Sequence, residues 1–183
     1  MPQDLVFYTN PMSRGRIARW MLEELGEPYR TEIVEFGPAM KSPAFLAVNP
    51  MGKVPAVRHE DVVITEVAAI CAYLADAYPE KGLAPKPGDR NRAAYFRWMF
   101  FAAGPLEAAV TNKALGVEVP ADRRGMVGYG SLDNVLSTLE AAVKDRQFIA
   151  GNHFSAADLY VGSHLAWGMQ FGSIDKRPAF EAY

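Results

Sequence analysis

Two hydrophobic periodicities alternate along the first part of the chain, and only the helical one persists in the second. Leu5-Val6-Phe7-Tyr8 is a short apolar strand, and Thr9-Asn10-Pro11-Met12 is a loop by composition. After Ser13, Ile17, Met21 and Leu25 recur at helical spacing and Trp20 broadens the stripe, until Gly26 and Pro28 end the helix. Tyr29 to Val34 reads as a second strand. Ser42-Pro43 is an N-cap followed by proline at the first helical position, opening a short helix to about Val48. Short β-type runs around Val57 and over Val62 to Thr65 flank a tight polar turn. After Glu66 the period changes from that of a strand to that of a helix reaching Tyr78. The order is β-α-β-α-β-β-α.

Pro79 to Gly88 is rich in proline and glycine and has no periodicity, which marks a linker. Strand signals then vanish. Asp89 is placed to cap a helix from Arg90 to about Gly116, in which Tyr95, Phe96, Trp98, Met99, Phe100 and Phe101 crowd almost every face. A helix apolar all round must be buried on more than one side, and Gly104-Pro105 predicts a kink near its middle. A further helix is expected from Pro120 to about Arg146, with Leu132, Val135, Leu136, Leu139 and Val143 as its stripe. Phe148 to His153 is a loop. Ser155-Ala156-Ala157-Asp158 opens the next helix in the manner of a capping box, with Phe154 and Leu159 placed as a hydrophobic staple. A last helix begins near Arg177-Pro178, and the chain ends at Tyr183. The expected organisation is an α/β domain over 1–79, a linker over 80–88 and an all-α helical domain over 89–183.

Pro55, which has no N–H, precedes the third strand after a Pro-x-Gly turn. The Val54–Pro55 bond is the candidate for a cis peptide, since cis is cheap almost only before proline. Such a bond turns the Val54 N–H and C=O off the sheet, free to pair with an extended ligand. Glu66 falls at a helix N-terminus, where backbone N–H groups bind anions. Asn49-Pro50-Met51-Gly52-Lys53-Val54-Pro55, followed about ten residues later by Thr65-Glu66 at the head of an Ala-rich helix, resembles the glutathione transferase family. The resemblance implies a thioredoxin-like N-terminal domain, in keeping with the element order, joined to an all-helical domain. The Ser155-x-x-Asp158 motif also resembles a folding signature of the family's helical domain, with a structural role. Family members usually continue further than Tyr183, which raises the expectation of a missing C-terminal segment.

Glutathione must be held at its γ-glutamyl head, its cysteine backbone and its glycine carboxylate. On the resemblance, Glu66 pairs with the α-amino group, the N–H of Val67 takes the α-carboxylate, and Val54 and Pro55 meet the cysteine backbone. Lys41 and Lys53 hold the glycine carboxylate. The family usually has Ser at position 67 and, in the most similar branch, His at position 40; Val67 and Met40 depart from it. Losing a hydrogen bond to a charged group costs ~1.5–3 kcal/mol. Pro11-Met12-Ser13 resembles the serine-type transferases of bacteria, in which the hydroxyl donates to the glutathione sulfur and so plays the catalytic part. Ser13 also reads as a plain N-cap, and Thr9, Asn10 and Tyr8 are its rivals, Tyr8 being discounted as strand core. The electrophile pocket, which the family forms between its domains, is assigned to Met12, Tyr95, Trp98 and Phe101.

Composition narrows the rest. The 183 residues are 50% hydrophobic and 22% charged, enough for one large core or two small ones. A net charge of −2 argues for neither nucleic acid nor an acidic membrane. No apolar run approaches the ~20 residues of a membrane span, and Met1-Pro2-Gln3-Asp4 does not open a signal peptide. The single cysteine, Cys71, excludes an intrachain disulfide and reads as an inert core thiol. His59, His153 and His164 lack metal-ligand spacing, so no metal is expected. Gly125-x-x-Gly128-x-Gly130 follows no strand and is not a nucleotide motif. The resulting expectation is a cytoplasmic, homodimeric glutathione transferase acting on small apolar electrophiles. The alternatives are a glutathione-dependent disulfide reductase or peroxidase, and a non-catalytic transferase-like binding module.

Overall fold

The computed structural model describes residues 4–183. It divides into two compact units, Met1–Gly82 and Leu83–Tyr183.

The first unit contains β1 (Leu5–Thr9), α1 (Gly15–Leu25), β2 (Arg30–Ile33), α2 (Pro43–Leu46), β3 (Ala56–His59), β4 (Val62–Thr65) and α3 (Val67–Ala77). The four strands run in the order β2-β1-β3-β4. β1 and β2 are parallel, with Phe7 opposite Thr31. The other neighbours are antiparallel, Phe7 lying opposite Val57 and Val57 opposite Ile64. This is the thioredoxin-like arrangement expected. β1 is central and its Leu5, Val6 and Phe7 are buried, because both faces of the sheet are covered. The apolar stripes of α1 and α3, Ile17, Met21, Leu25, Ile70 and Leu74, supply one layer of core. Val34, Met40 and Phe45 form a second cluster, with Tyr8, Val48 and Val54 packed against it. Gly26, at φ 65°, terminates α1 and returns its N–H to the carbonyls of Leu22 and Glu23.

The second unit contains α4 (Asn91–Phe101), α5 (Glu107–Ala114), α6 (Leu132–Val143), α7 (Ala156–Phe171) and α8 (Pro178–Ala182). α4 and α5 are joined by a π-helical turn over Ala102–Leu106 that contains Pro105. Proline cannot donate to the carbonyl four residues back and its ring crowds that carbonyl, so the wider turn appears where the kink was expected. α4 is not buried all round. Tyr95, Trp98 and Met99 face the core, whereas Phe96 and Phe100 are 37% and 71% exposed.

Two boundaries differ from the sequence expectation. The helix placed from Pro120 begins only at Leu132; Ala121–Met126 is a short 3-10 segment. Gly125, Gly128 and Gly130 each weaken a helix by about 1 kcal/mol relative to Ala, and Ser131 caps α6 by accepting the Asn134 N–H at 3.2 Å. The linker is not uniformly open: Leu83 is buried, and its carbonyl accepts the Ala156 N–H at 2.8 Å. Phe154 also meets the ring of Phe148 edge-on at 6.5 Å, and Leu159 is fully buried.

Candidate functional site

The turn that carries Val54 is braced from two sides. Asn49 is 3% exposed. Its amide nitrogen donates to the Lys53 carbonyl at 2.7 Å and its Oδ1 accepts the Met51 N–H at 3.0 Å. From the other side Lys41 Nζ donates to the carbonyls of Met51 and Gly52 at 2.8 and 3.3 Å. Gly52 is required between them. Its φ is +57°, and a Cβ there would lie 2.5 Å from the Met40 carbonyl oxygen and 2.8 Å from Lys41 Nζ. The turn delivers a cis Val54–Pro55 bond, with β3 starting one residue later at Ala56. Among the described residues, neither the N–H nor the C=O of Val54 has a backbone partner.

Glu66 stands at the end of β4, immediately before α3, and is exposed. Its backbone is at φ 66° and ψ 120°, a region that costs a non-glycine residue about 1–3 kcal/mol. Its carbonyl accepts the Ile70 N–H at 2.8 Å, the first helical bond. Its side chain does not cap α3, so the carboxylate and the first N–H groups of α3 stay available to a ligand. Val67 is half-buried and offers its main chain alone. Lys53 is exposed, and Met40, 7% exposed, belongs to the core cluster beside Phe45.

Ser13 lies where β1 passes into α1. α1 begins at Gly15 with Arg14 as its N-cap, so Ser13 is not the cap residue expected. Its Oγ donates to the Asn10 carbonyl at 2.7 Å and accepts the Gly15 N–H at 3.0 Å, a local turn in place of a cap. Gly15 is needed here as well, because a Cβ would collide with the Thr9 hydroxyl and lie 2.9 Å from Ser13 Oγ. The rivals are walled in. Asn10 is 5% exposed, donating to the Val34 carbonyl at 3.2 Å and accepting the Met12 N–H at 3.0 Å. Thr9 is 6% exposed. Tyr8 packs its ring 6.2 Å from Phe45. Met12, beside Ser13, is 85% exposed.

The remaining expected pocket residues all sit on α4. Tyr95 has no exposed surface and is core of the second unit; Trp98 is buried, and Phe101 is half-buried. Cys71 is wholly buried in α3, and burial pushes its thiol up to about 12, so it has no thiolate to offer. Sequence reasoning passed over Asn49, Gly52 and Gly15 as site residues. Asn-Pro-x-Gly is itself a signal for a side-chain-braced turn, and would have found the first two.

A thioredoxin-like unit with an unpaired main-chain edge beside a cis-proline, joined to a helical unit, defines the class. The model for the glutathione S-transferase N-terminal domain matches residues 12–77, and that for the C-terminal domain matches residues 80–167. The chain belongs to the glutathione S-transferase family. It is 32% identical to the glutathione S-transferase GstA of Escherichia coli O157:H7 over 124 residues, 67% of this chain and 61% of that protein. Among solved structures, a glutathione transferase from Methylococcus capsulatus superposes with a TM-score of 0.75 at 27% identity, covering 97% of this chain and 96% of the other. A transferase homologue from Drosophila mojavensis with bound glutathione gives 0.79 at 27% identity, covering 98% and 85%.

Proposed function

We propose that the chain binds glutathione along Val54 and conjugates its thiolate to small apolar electrophiles. The observation that carries this is the unpartnered N–H and C=O of Val54, presented by a doubly braced turn. The cysteine backbone of glutathione pairs there in the manner of an added strand. Glu66 takes the α-amino group and the N–H groups at the head of α3, Val67 first, take the α-carboxylate. Lys53 and Lys41 hold the glycine carboxylate; Lys41 has three N–H donors and spends two on the turn. Ser13 donates its O–H to the sulfur once it rotates away from the Asn10 carbonyl, and this hydrogen bond favours the thiolate. The thiolate then forms a sulfur–carbon bond as the electrophile's leaving group departs with its electron pair. Met12 is the apolar surface next to the sulfur.

The named relatives support glutathione as the ligand, since the Drosophila mojavensis homologue holds it. The exposed Phe96 and Phe100 on α4 support a homodimer in which that face is covered. Among the described residues no helix is long and apolar enough to cross a membrane. The reading places the enzyme in the cytoplasm, in a role of detoxification type. The test is a glutathione titration across pH that follows thiolate ultraviolet absorbance, run beside a conjugation assay with a chlorinated aromatic. Ser13→Ala is expected to lower conjugation at least about tenfold while glutathione still binds, a loss of roughly 1.4 kcal/mol or more. Full turnover in that variant removes Ser13 from the mechanism.

One second reading has specific support. Val67 lacks a hydroxyl, and the Ser13 proton is directed at the Asn10 carbonyl, which suits a non-catalytic binding module. Absence of glutathione binding at millimolar concentration, together with a stable protein partner, would favour it.

A further inference from the structure

The loop that presents Ser13 is wrapped around one buried side chain. Asn10 is 5% exposed. Its Nδ2 donates at 3.2 Å to the carbonyl of Val34, the residue after β2, and its Oδ1 accepts the Met12 N–H at 3.0 Å. The Val34 N–H in turn donates to the Thr9 carbonyl at 2.8 Å. The start of the loop is thus tied reciprocally to Val34, which is packed with Met40 and Phe45. The Asn10 carbonyl accepts from Ser13 twice, the N–H at 3.0 Å and the hydroxyl at 2.7 Å. An Asn side chain that accepts the N–H two residues on already makes a turn. The bond to Val34, 24 residues away, adds nothing to that turn and instead fixes it to the sheet.

We infer that Asn10 is the positioning residue for Ser13 in the reaction proposed above, and this rests on the glutathione reading. Its side chain fixes the loop, and its carbonyl keeps the Ser13 N–H while the hydroxyl turns to the glutathione sulfur. The carbonyl is not stranded by that rotation, because the Ser13 N–H stays bonded to it and the Thr9 hydroxyl lies 3.5 Å away. Only the Ser13 side chain then has to move. A hydroxyl turning on a fixed backbone meets the sulfur without first ordering the loop, whereas on a loose loop the same hydrogen bond must offset that entropy.

The parent, Asn10→Ala, Asn10→Ser, Ser13→Ala and the double variant Asn10→Ala/Ser13→Ala are compared in a glutathione titration followed by thiolate absorbance, and in conjugation of a chlorinated aromatic. Asn10→Ala is expected to raise the pH at which the bound thiol ionises and to lower kcat at least about fivefold. KM for glutathione is expected to stay within about twofold, because Val54, Glu66 and Lys53 are untouched. Asn10→Ser, whose hydroxyl can accept the Met12 N–H but is too short for the Val34 carbonyl, should fall between. In the Ser13→Ala background Asn10→Ala is expected to add less than about twofold, since residues that act as a unit are not additive. A merely structural role would cut turnover equally in both backgrounds, and that result overturns the inference. An Asn10→Ala variant with the parent's thiol titration and kcat overturns it too, as does full turnover in Ser13→Ala, which leaves no hydroxyl to position. Asn10→Ser carries the same comparisons if thermal melts show that Asn10→Ala does not fold. A parent that binds no glutathione at millimolar concentration removes the glutathione reading and this inference with it. A parent that binds and ionises glutathione no better than Asn10→Ala removes this inference alone.

Discussion

Replacing Asp158 tests the tightest polar network in the second unit. Asp158 is 5% exposed and its carboxylate accepts four hydrogen bonds. Oδ1 takes the Ile149 N–H at 2.7 Å and the Tyr183 hydroxyl at 2.8 Å. Oδ2 takes the Ser155 N–H at 2.9 Å and the Ser155 hydroxyl at 2.8 Å. The capping box accounts only for the Ser155 contacts, worth ~1 kcal/mol. The other two tie the loop before α7 and the last helix to the same carboxylate. Asp158→Ala strands buried N–H groups on Ile149 and Ser155 at about 1–3 kcal/mol each. Relief of the carboxylate's own desolvation offsets part of this, leaving an expected loss of about 2–4 kcal/mol. That is a large share of the 5–15 kcal/mol a domain typically has. Asp158→Asn keeps one acceptor but points an NH₂ at two donors, and should cost about 2–3 kcal/mol. Tyr183→Phe removes a single charge-assisted bond, about 1.5–3 kcal/mol. Urea denaturation measures all three, and the Asn and Phe variants carry the test if the Ala variant does not fold. An Asp158→Asn stability within about 0.5 kcal/mol of the parent would refute the network.

Other outcomes follow from single positions. Cys71 has an ordinary thiol value of 9.0 and is pushed up to about 12 in the fold. Its contribution is therefore complete below pH 9 and declines as pH rises, because the unfolded chain gives up the proton first. Between pH 8 and 10 urea unfolding should lose ~1.4 kcal/mol on this account, and Cys71→Ala should remove that slope; an unchanged slope contradicts the assignment. Gly52→Ala forces a Cβ against the Met40 carbonyl at positive φ, and should cost at least about 2 kcal/mol and loosen glutathione binding. Calorimetry showing parent-like stability and affinity would remove Gly52 from the turn's design. Glu66→Gln is expected to keep the fold but lose the charge proposed to face the α-amino group. It should weaken glutathione binding about tenfold or more by titration, and equal affinity would move the γ-glutamyl head elsewhere.

What was legible in the sequence is what is settled locally. The cis Val54–Pro55 bond, the Ser42 cap, the Ser155–Asp158 box and the break at Gly104-Pro105 each depend on residues adjacent in the chain. Where the structure departs, packing or the balance of weak local preferences decides. Ser13 is not the cap of α1, because the close fit of Gly15 against Thr9 sets where that helix can start. Met40, in place of the family's histidine, goes into the cluster with Val34 and Phe45, and only packing determines that. Lys41 is assigned by resemblance to a carboxylate, yet its nearest acceptors are the carbonyls of a turn ten residues on. α6 starts late because each of its three upstream glycines is weakly unfavourable while Ser131 is a strong cap, a comparison that hydrophobic periodicity does not register.

Glu66 shows the same limit at the point where it bears on function. No propensity places a glutamate at φ 66°. The conformation is imposed from both sides, by the pairing of Thr65 with Ala56 in the sheet and by the bond from the Ile70 N–H that opens α3. Glycine would adopt it at less cost. A glutamate there, exposed and without a capping role, stores strain that the fold's own stability does not require. The residue stands at the head of α3, at the end of the strand that pairs with β3, which follows the free main chain of Val54. On the glutathione reading proposed above, that juxtaposition suits a ligand with an amino-acid head and an extended backbone, and binding would then be the reason for the strain.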